Sequence, residues 1–206
     1  MPVIVRTVRA FLAVAEIDMV YVGIKPDWHE YTNELFERFE IDSRRVKVID
    51  GGADRNGTVM NIAEAIVAEH GKNEGDIILT HDAVRPFVTE KIIKDNIEAM
   101  REHSACGTYM PAADTIIRSD GEKVRETLNR SELYQAQTPQ TFRFGDLRRN
   151  YYSLSEEQKK KLTDTCSVFT ACNEDIYLVV GDALNFKITT DSDLKMANAL
   201  AELSEK

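Results

Sequence analysis

The order in which apolar patterns alternate constrains this chain more than any other feature. Four short apolar runs, "MVYVGI" (19–24), "RVKVI" (45–49), "DIILTHD" (76–82) and "CGTYMPA" (106–112), alternate with segments whose apolar residues recur at helical spacing. Parallel strands need a crossover between them, whereas antiparallel strands need only a turn. The alternation therefore predicts an α/β fold: a mostly parallel sheet with helices on both faces, joined by right-handed crossovers.

Local signals sharpen the boundaries. "VIVRTVRAFLAV" carries a helical stripe at the start of the chain. "DWHEYTNELFERF" opens with Asp27 and Glu30 in capping-box relation and places Trp28, Tyr31, Leu35 and Phe39 on one face. "GTVMNIAEAIVAEHG" reads as a helix ending at Gly71, and "TEKIIKDNIEAMREHS" as one capped by Thr89. In "DTIIRSDGEKVRETLNR" two extended segments flank Asp120-Gly121, a two-residue hairpin signal, so the segment 114–135 reads as a projecting β-arm. A helix rich in Glu and Lys follows, then the strand "DIYLVV", the extended "NFKITT", and a terminal helix "DSDLKMANALAEL". No repeat or linker interrupts the chain, so residues 1–206 form one domain.

Composition excludes several classes. A formal net charge of -9 argues against a nucleic-acid-binding surface, which needs a basic face, although a small anionic ligand fits if local groups reverse the field. The run Lys159-Lys160-Lys161 marks a solvated helix face. No apolar run is long enough to span a bilayer and no secretion-type leader is evident, so a soluble cytoplasmic protein is expected. Three cysteines, without neighbouring histidines, build neither a disulfide framework nor a zinc site.

Four places carry candidate chemistry. In open α/β sheets ligands bind outside the carboxyl ends of the strands, and three of the four lie at such ends. In "DGGADRNGT", Gly51 and Gly52 let the backbone approach a ligand and Thr58 opens a helix; an ordinary strand-to-helix turn capped by Thr58 reads equally well. In "THDAVRP", Asp82 can hold a ribose hydroxyl or a magnesium-bound water and Arg85 a phosphate, or the two pair to tie down a loop. His81 reads as a hydrogen-bonded structural histidine. In "NFKITT", Lys187 faces opposite to Phe186 and Ile188. The fourth place is irregular: Asp114, Thr115 and Arg130 sit at the base of the arm, and Pro139 holds Thr138 extended in "QTPQ".

In their order, "GGADRN", "THDAVRPF", "ADTI", "NRSELYQAQTPQTF", "LTDTCSVF" and "NFKITTDSDLKMANAL" resemble the cytidylyltransferases that activate sugar-alcohol phosphates. "LYQAQTPQTF" followed by "YYSLSEEQKKKLTDTC" is more similar to the D-ribitol-5-phosphate cytidylyltransferases than to the 2-C-methyl-D-erythritol 4-phosphate cytidylyltransferases. The resemblance implies a Rossmann-like, three-layer nucleotidyltransferase fold. It also implies an enzyme that transfers CMP from CTP to D-ribitol 5-phosphate, releasing pyrophosphate, with magnesium as cofactor. The erythritol phosphate is the alternative acceptor, and a non-catalytic nucleotide-binding dimer module is the alternative class. A dehydrogenase is disfavoured because no G-x-G-x-x-G follows a strand run.

By resemblance Lys187, Asp82 and Arg85 are catalytic, and Asp82 is also the residue at the metal. Gly51, Gly52, Thr58 and Asp82 hold the nucleotide. Thr115, Arg130 and Thr138 hold the polyol phosphate, and Thr163-Asp164 matches a further family element. The arm implies a homodimer in which Thr115 and Arg130 reach the partner's site. Family members open with a strand and a glycine-rich loop that wraps the CTP phosphates, whereas Met1-Pro2-Val3-Ile4 aligns just after that loop. Weak or absent turnover by these residues alone is therefore expected, since several charge-assisted phosphate contacts are each worth about 1.5–3 kcal/mol.

Overall fold

The computed structural model of the protein describes residues 1–204. The chain runs α1 (Val3–Leu12), β1 (Val20–Ile24), α2 (His29–Arg38), β2 (Val46–Asp50), α3 (Arg55–His70), β3 (Ile77–Thr80), α4 (Glu90–Ala99) and β4 (Ala105–Pro111), the alternation predicted from the sequence. Next come β5 (Ile117–Ser119), β6 (Val124–Thr127), β7 (Tyr134–Arg143), α5 (Phe144–Ser153), α6 (Glu156–Lys159), α7 (Cys166–Ala171), β8 (Tyr177–Val180) and α8 (Asp191–Ser204).

Period-2 alternation along the strands sorts the apolar residues into two layers. Val20 and Val22 of β1 pack with Val5, Val8, Leu35 and Phe36 of α1 and α2, and Leu79 of β3 packs with Phe11 of α1 and Ile92 and Ile93 of α4. On the opposite face, Ile78 of β3 and Phe142 of β7 pack with Leu147 of α5 and Val168 and Phe169 of α7, while Met60 and Ala63 of α3 meet Phe144. The result is a three-layer α/β/α domain with α1, α2 and α4 on one side and α3, α5 and α7 on the other.

The sheet is less uniformly parallel than the alternation predicts. β1 and β2 pair parallel, as do β4 and β8, but β7 is antiparallel to both β3 and β4 in the order β3-β7-β4-β8. In the sequence "QTPQ" is an irregular place where Pro139 holds Thr138 extended, and no strand is assigned to it. It lies instead inside β7, and the pairing of β4 with β7 shifts register between Gly107 and Tyr109, opposite Pro139. The strand's polar residues are matched within the core: Gln137 donates to Asp182 O, and Thr141 to Asn96 Oδ1.

Other expectations change in detail. The Asp27/Glu30 capping box is not formed, because Pro26–Trp28 makes a 3₁₀ turn and α2 starts after it with no side-chain cap. Trp28 and Tyr31 are exposed, and Leu35 and Phe36 are the buried positions. The arm's turn spans 120–123 rather than two residues, with Asp120 Oδ1 accepting from the N–H groups of Glu122 and Lys123 and Gly121 at φ 101°. "NFKITT" is an extended loop outside any ladder. No helix among the described residues is long and apolar enough to cross a membrane.

Among the described residues, β1 is paired only with β2, and β3 only with β7. Their remaining edges line a common cleft of about 890 Å³, floored and roofed by Val8 and Phe11 of α1 and Val59, Ile62 and Ile66 of α3. One end of this cleft opens onto Arg55, Thr58, His81 and Asp82.

Candidate active site

The carboxyl ends of β1, β2 and β3 converge on the amino end of α3. After β2, Gly51 N–H donates to Ile24 O at 2.7 Å, locking the turn against the end of β1. Gly52 N–H donates to Thr58 Oγ1 at 2.9 Å, and that hydroxyl donates to Asp54 O at 2.9 Å. The cap of α3 is Asp54, whose Oδ1 accepts from Gly57 N–H, so Thr58 lies a turn inside the helix rather than opening it. A Cβ on Gly52 would sit 2.4 Å from the Gly57 carbonyl carbon; the glycine is required by close backbone packing within the turn itself. The turn presents the first N–H groups of a sixteen-residue helix, a local positive potential.

Asp82 follows β3 and is the centre of the site. Its side chain is 13% exposed; Oδ1 faces Arg55 Nε at 3.1 Å, while Oδ2 faces Arg85 Nε and Lys187 Nζ, each at 3.3 Å. Burial pushes the carboxyl up, but Arg55 and Lys187 outweigh burial and hold it below the usual carboxylate range. Three cations meet one carboxylate, a surplus of two positive charges (three minus one) in a chain of formal charge -9. That surplus provides the local field reversal a polyanionic ligand requires.

The loop after β8 delivers Lys187 through three ties. Phe186 stacks on Phe87 with ring centroids 5.7 Å apart, Ile188 N–H donates to Val84 O at 2.9 Å, and Arg85 Nη1 donates to Asn185 O at 2.8 Å. Lys187 thus points away from Phe186 as the extended spacing predicts. Arg85 both faces Asp82 and ties down its loop, so the two alternatives drawn from the sequence coexist.

Beneath Asp82 runs a buried relay. Asp82 N–H donates to Thr138 Oγ1 at 3.1 Å, Thr138 Oγ1 lies 2.9 Å from His81 Nδ1, and His81 Nε2 lies 3.1 Å from Arg85 O. With Nε2 protonated, every donor in this relay has an acceptor. Burial lowers the His81 pKa from 6.5 to about 4, so the ring is neutral and structural. Thr138 is buried and its hydroxyl is committed within the chain.

Arg130 and Thr115 are placed apart from this cluster. Arg130 donates to Ala113 O at 2.7 Å and lines a separate hollow of about 590 Å³ with Pro111, Ala112 and Asn129. Thr115 is exposed at the arm's base. Asp164 is fixed by Gln140 Nε2 at 2.6 Å and Ser167 N–H at 2.8 Å, joining "LTDTCSVF" to β7.

Sequence reading missed Arg55, although it lies in the quoted glycine turn. A signal was there: a cation at the first position of a helix, with no acid in the first turn, opposes the helix dipole and calls for a carboxylate from elsewhere. Among the described residues no group of three His, Cys, Asp or Glu side chains is arranged to hold a metal ion. A lone carboxylate with three cation partners does not build a protein-only magnesium site. It fits an ion that arrives largely ligated by phosphates and water, with Asp82 as a single direct or water-mediated contact.

A three-layer α/β domain with a cation-lined site at the strand ends defines a protein built to bind a polyanionic ligand there. The family model of IspD, 2-C-methyl-D-erythritol 4-phosphate cytidylyltransferase, matches residues 1–202. The structure is similar to the 4-diphosphocytidyl-2C-methyl-D-erythritol synthase of Anaerococcus prevotii, at 28% identity and TM-score 0.81, covering 98% of this chain and 86% of that one. It is similar also to the 2-C-methyl-D-erythritol 4-phosphate cytidylyltransferase of Francisella tularensis, at 27% identity and TM-score 0.82, covering 95% and 86%. The Thermus thermophilus enzyme of that name matches at 26% identity and TM-score 0.79, covering 97% and 88%. The chain belongs to the IspD cytidylyltransferase family.

Proposed function

We propose that the protein transfers CMP from CTP to 2-C-methyl-D-erythritol 4-phosphate, releasing pyrophosphate. The observation that carries this reading is the convergence of Arg55, Arg85 and Lys187 on Asp82 beside the glycine turn, in a chain of this family. The choice of acceptor moves from the ribitol phosphate favoured by "LYQAQTPQTF" to the erythritol phosphate. The solved relatives named above carry the latter in their names.

In this reading the Gly51-Gly52-Thr58 turn receives the cytidine end and Asp82 the ribose, while Lys187 and Arg85 meet the triphosphate. An acceptor phosphate oxygen attacks the α-phosphorus; the new P–O bond forms as the bond to the β-phosphate oxygen breaks, and pyrophosphate leaves with its electron pair. The nucleophile is already an anion, so no general base is required, in keeping with a His81 whose nitrogens are both engaged. Catalysis then rests on positioning and on neutralising the charge that accumulates on the phosphates. Magnesium, when bound, would neutralise phosphate charge, and Asp82 is the residue that would hold it.

We further infer a homodimer built through the arm, in which Thr115 and Arg130 serve the partner's acceptor phosphate while Thr138 shapes the backbone under Asp82. Ile117 and Val124 on the arm, 43% and 64% exposed, supply apolar surface for that contact. The cytoplasmic location expected from the sequence suits a reaction that consumes a nucleoside triphosphate.

The test is pyrophosphate release from CTP and magnesium with each polyol phosphate in parallel. Release with the erythritol phosphate is the expected outcome, and release with ribitol 5-phosphate alone would restore the other acceptor. CTP binding with neither released would support the binding module.

A further inference from the structure

We propose that Arg55 is a positioning residue that fixes Oδ1 of the Asp82 carboxylate, through a fork anchored on Thr165, while the Lys187 contact on Oδ2 is free to exchange. The inference rests on the cytidylyltransferase reading of this site.

The two oxygens of Asp82 are held in different ways. On Oδ1 the partner is Arg55 Nε at 3.1 Å, and the same guanidinium donates from Nη1 to Thr165 Oγ1 at 2.6 Å. Thr165 is only 1% exposed. Its N–H and that of Cys166 both donate to Gln140 Oε1, and Gln140 in turn donates to Asp164 Oδ2. Asn56, next to Arg55 on α3, donates to Asp164 O at 3.4 Å. The far tine of the Arg55 fork is therefore set in a buried polar cluster that joins α3, β7 and α7. A planar guanidinium with two anchored donors holds a carboxylate in one orientation, which a flexible ammonium cannot do.

On Oδ2 the partners are Arg85 and Lys187. Lys187 is 44% exposed and stands on a loop, so an arriving polyphosphate can draw its ammonium away from Asp82 without unpacking the core. When that happens, Arg85 stays on Oδ2, tied to Asn185 O, and Arg55 on Oδ1 keeps the carboxylate from rotating about that remaining contact to follow the cation. The arrangement also accounts for a cation at the dipole-disfavoured first position of α3, where an acid would ordinarily stand.

The experiment compares wild type with Arg55→Lys, Thr165→Val and the double variant, each confirmed folded by circular dichroism and thermal melting. Lysine keeps the charge but cannot reach Asp82 and Thr165 together. Expected is a fall in kcat/KM of about 10- to 100-fold for Arg55→Lys, the scale of a misplaced reacting group. A smaller fall is expected for Thr165→Val, with a double variant no worse than Arg55→Lys alone. Wild-type-like kinetics for Arg55→Lys, or losses that simply multiply, would overturn the proposal while leaving the functional reading intact. Crystal structures of wild type and Arg55→Lys decide the matter without reference to turnover. A rotated or split Asp82 side chain supports the proposal even if wild type proves inert with CTP, which would sink only the reading it rests on. An Asp82 carboxylate unmoved in Arg55→Lys would overturn the proposal in either case.

Discussion

The two walls of the cleft are built to different standards. On the β3 side, β7 is paired along both edges, and Thr80, Gln140, Thr141 and Thr165 form buried hydrogen bonds beneath the site. On the β1 side, a two-stranded sheet leans on α1, α2 and α3, and the glycine turn hangs from its carboxyl end. Asp82 thus follows β3, whose one partner is the doubly paired β7, whereas the turn proposed for the nucleotide follows β2, whose one partner is the edge strand β1. Unpaired ladder groups lower the cost of local opening, so ligand contacts on the second wall must order what they bind.

Hydrogen exchange offers the largest expected contrast. Local opening energies range from near zero to the global stability. Amides of Gln140–Arg143 should therefore exchange roughly 10³-fold more slowly than those of Val20–Ile24, about 4 kcal/mol. Equal protection on the two walls would break the comparison, and faster exchange in β7 would invert it.

On the braced wall, Lys187→Ala should lower kcat/KM by about 10² to 10³, the usual loss when one preorganised donor to developing charge is removed. The fold should be unchanged, because Phe186 and Ile188 carry the loop's packing rather than Lys187. Steady-state kinetics alongside a thermal melt check both halves, and a variant that melts early would mean Lys187 holds the loop as well as the phosphates.

The braced wall was also the harder one to read. The helices and the strands β1 to β4 follow from periodicity, because each buries one face against a neighbouring layer. β7 escaped because four of its six buried residues are the polar Gln137, Thr138, Gln140 and Thr141, satisfied by Asp182, His81, Asp164 and Asn96 that lie far away in sequence. Asp82, Arg85 and Lys187 were singled out by position, two of them after the apolar run "IILT" and one between Phe186 and Ile188, while the roles expected of them came from the family resemblance. Arg55 was not singled out, since the dipole argument needs the helix start, and taking Thr58 as that start placed it three residues late.

His81 gives the braced wall a pH signature. Its folded pKa of about 4 lies below the ordinary 6.5 because the ring is buried. Between those values the unfolded chain takes up a proton that the folded chain refuses, so stability rises with pH through this window. Stability present above pH 6.5 is lost as the pH falls towards 4, by roughly 3 kcal/mol from this group. Urea unfolding at pH 7.5 and pH 4.5 should show the loss, and His81→Gln should flatten the slope while costing stability at neutral pH. An unchanged slope in His81→Gln would mean that other groups carry the acid sensitivity.

The test on the open wall is Gly52→Ala. The added methyl would start 2.4 Å from the Gly57 carbonyl carbon and 2.7 Å from Thr58 N, both backbone atoms of α3, so relief requires the turn to move away from the helix. Overpacking in a tight core typically costs about 1–3 kcal/mol. Because the atoms met are backbone rather than a yielding side-chain tip, the loss should lie at the upper end of that range, about 3 kcal/mol in denaturant unfolding. CTP affinity should suffer more than stability, because the displaced segment carries the Gly52–Thr58 hydrogen bond that shapes the turn. A loss well under about 1 kcal/mol with affinity preserved would show that the turn gives way freely and that its backbone packing does not shape the site.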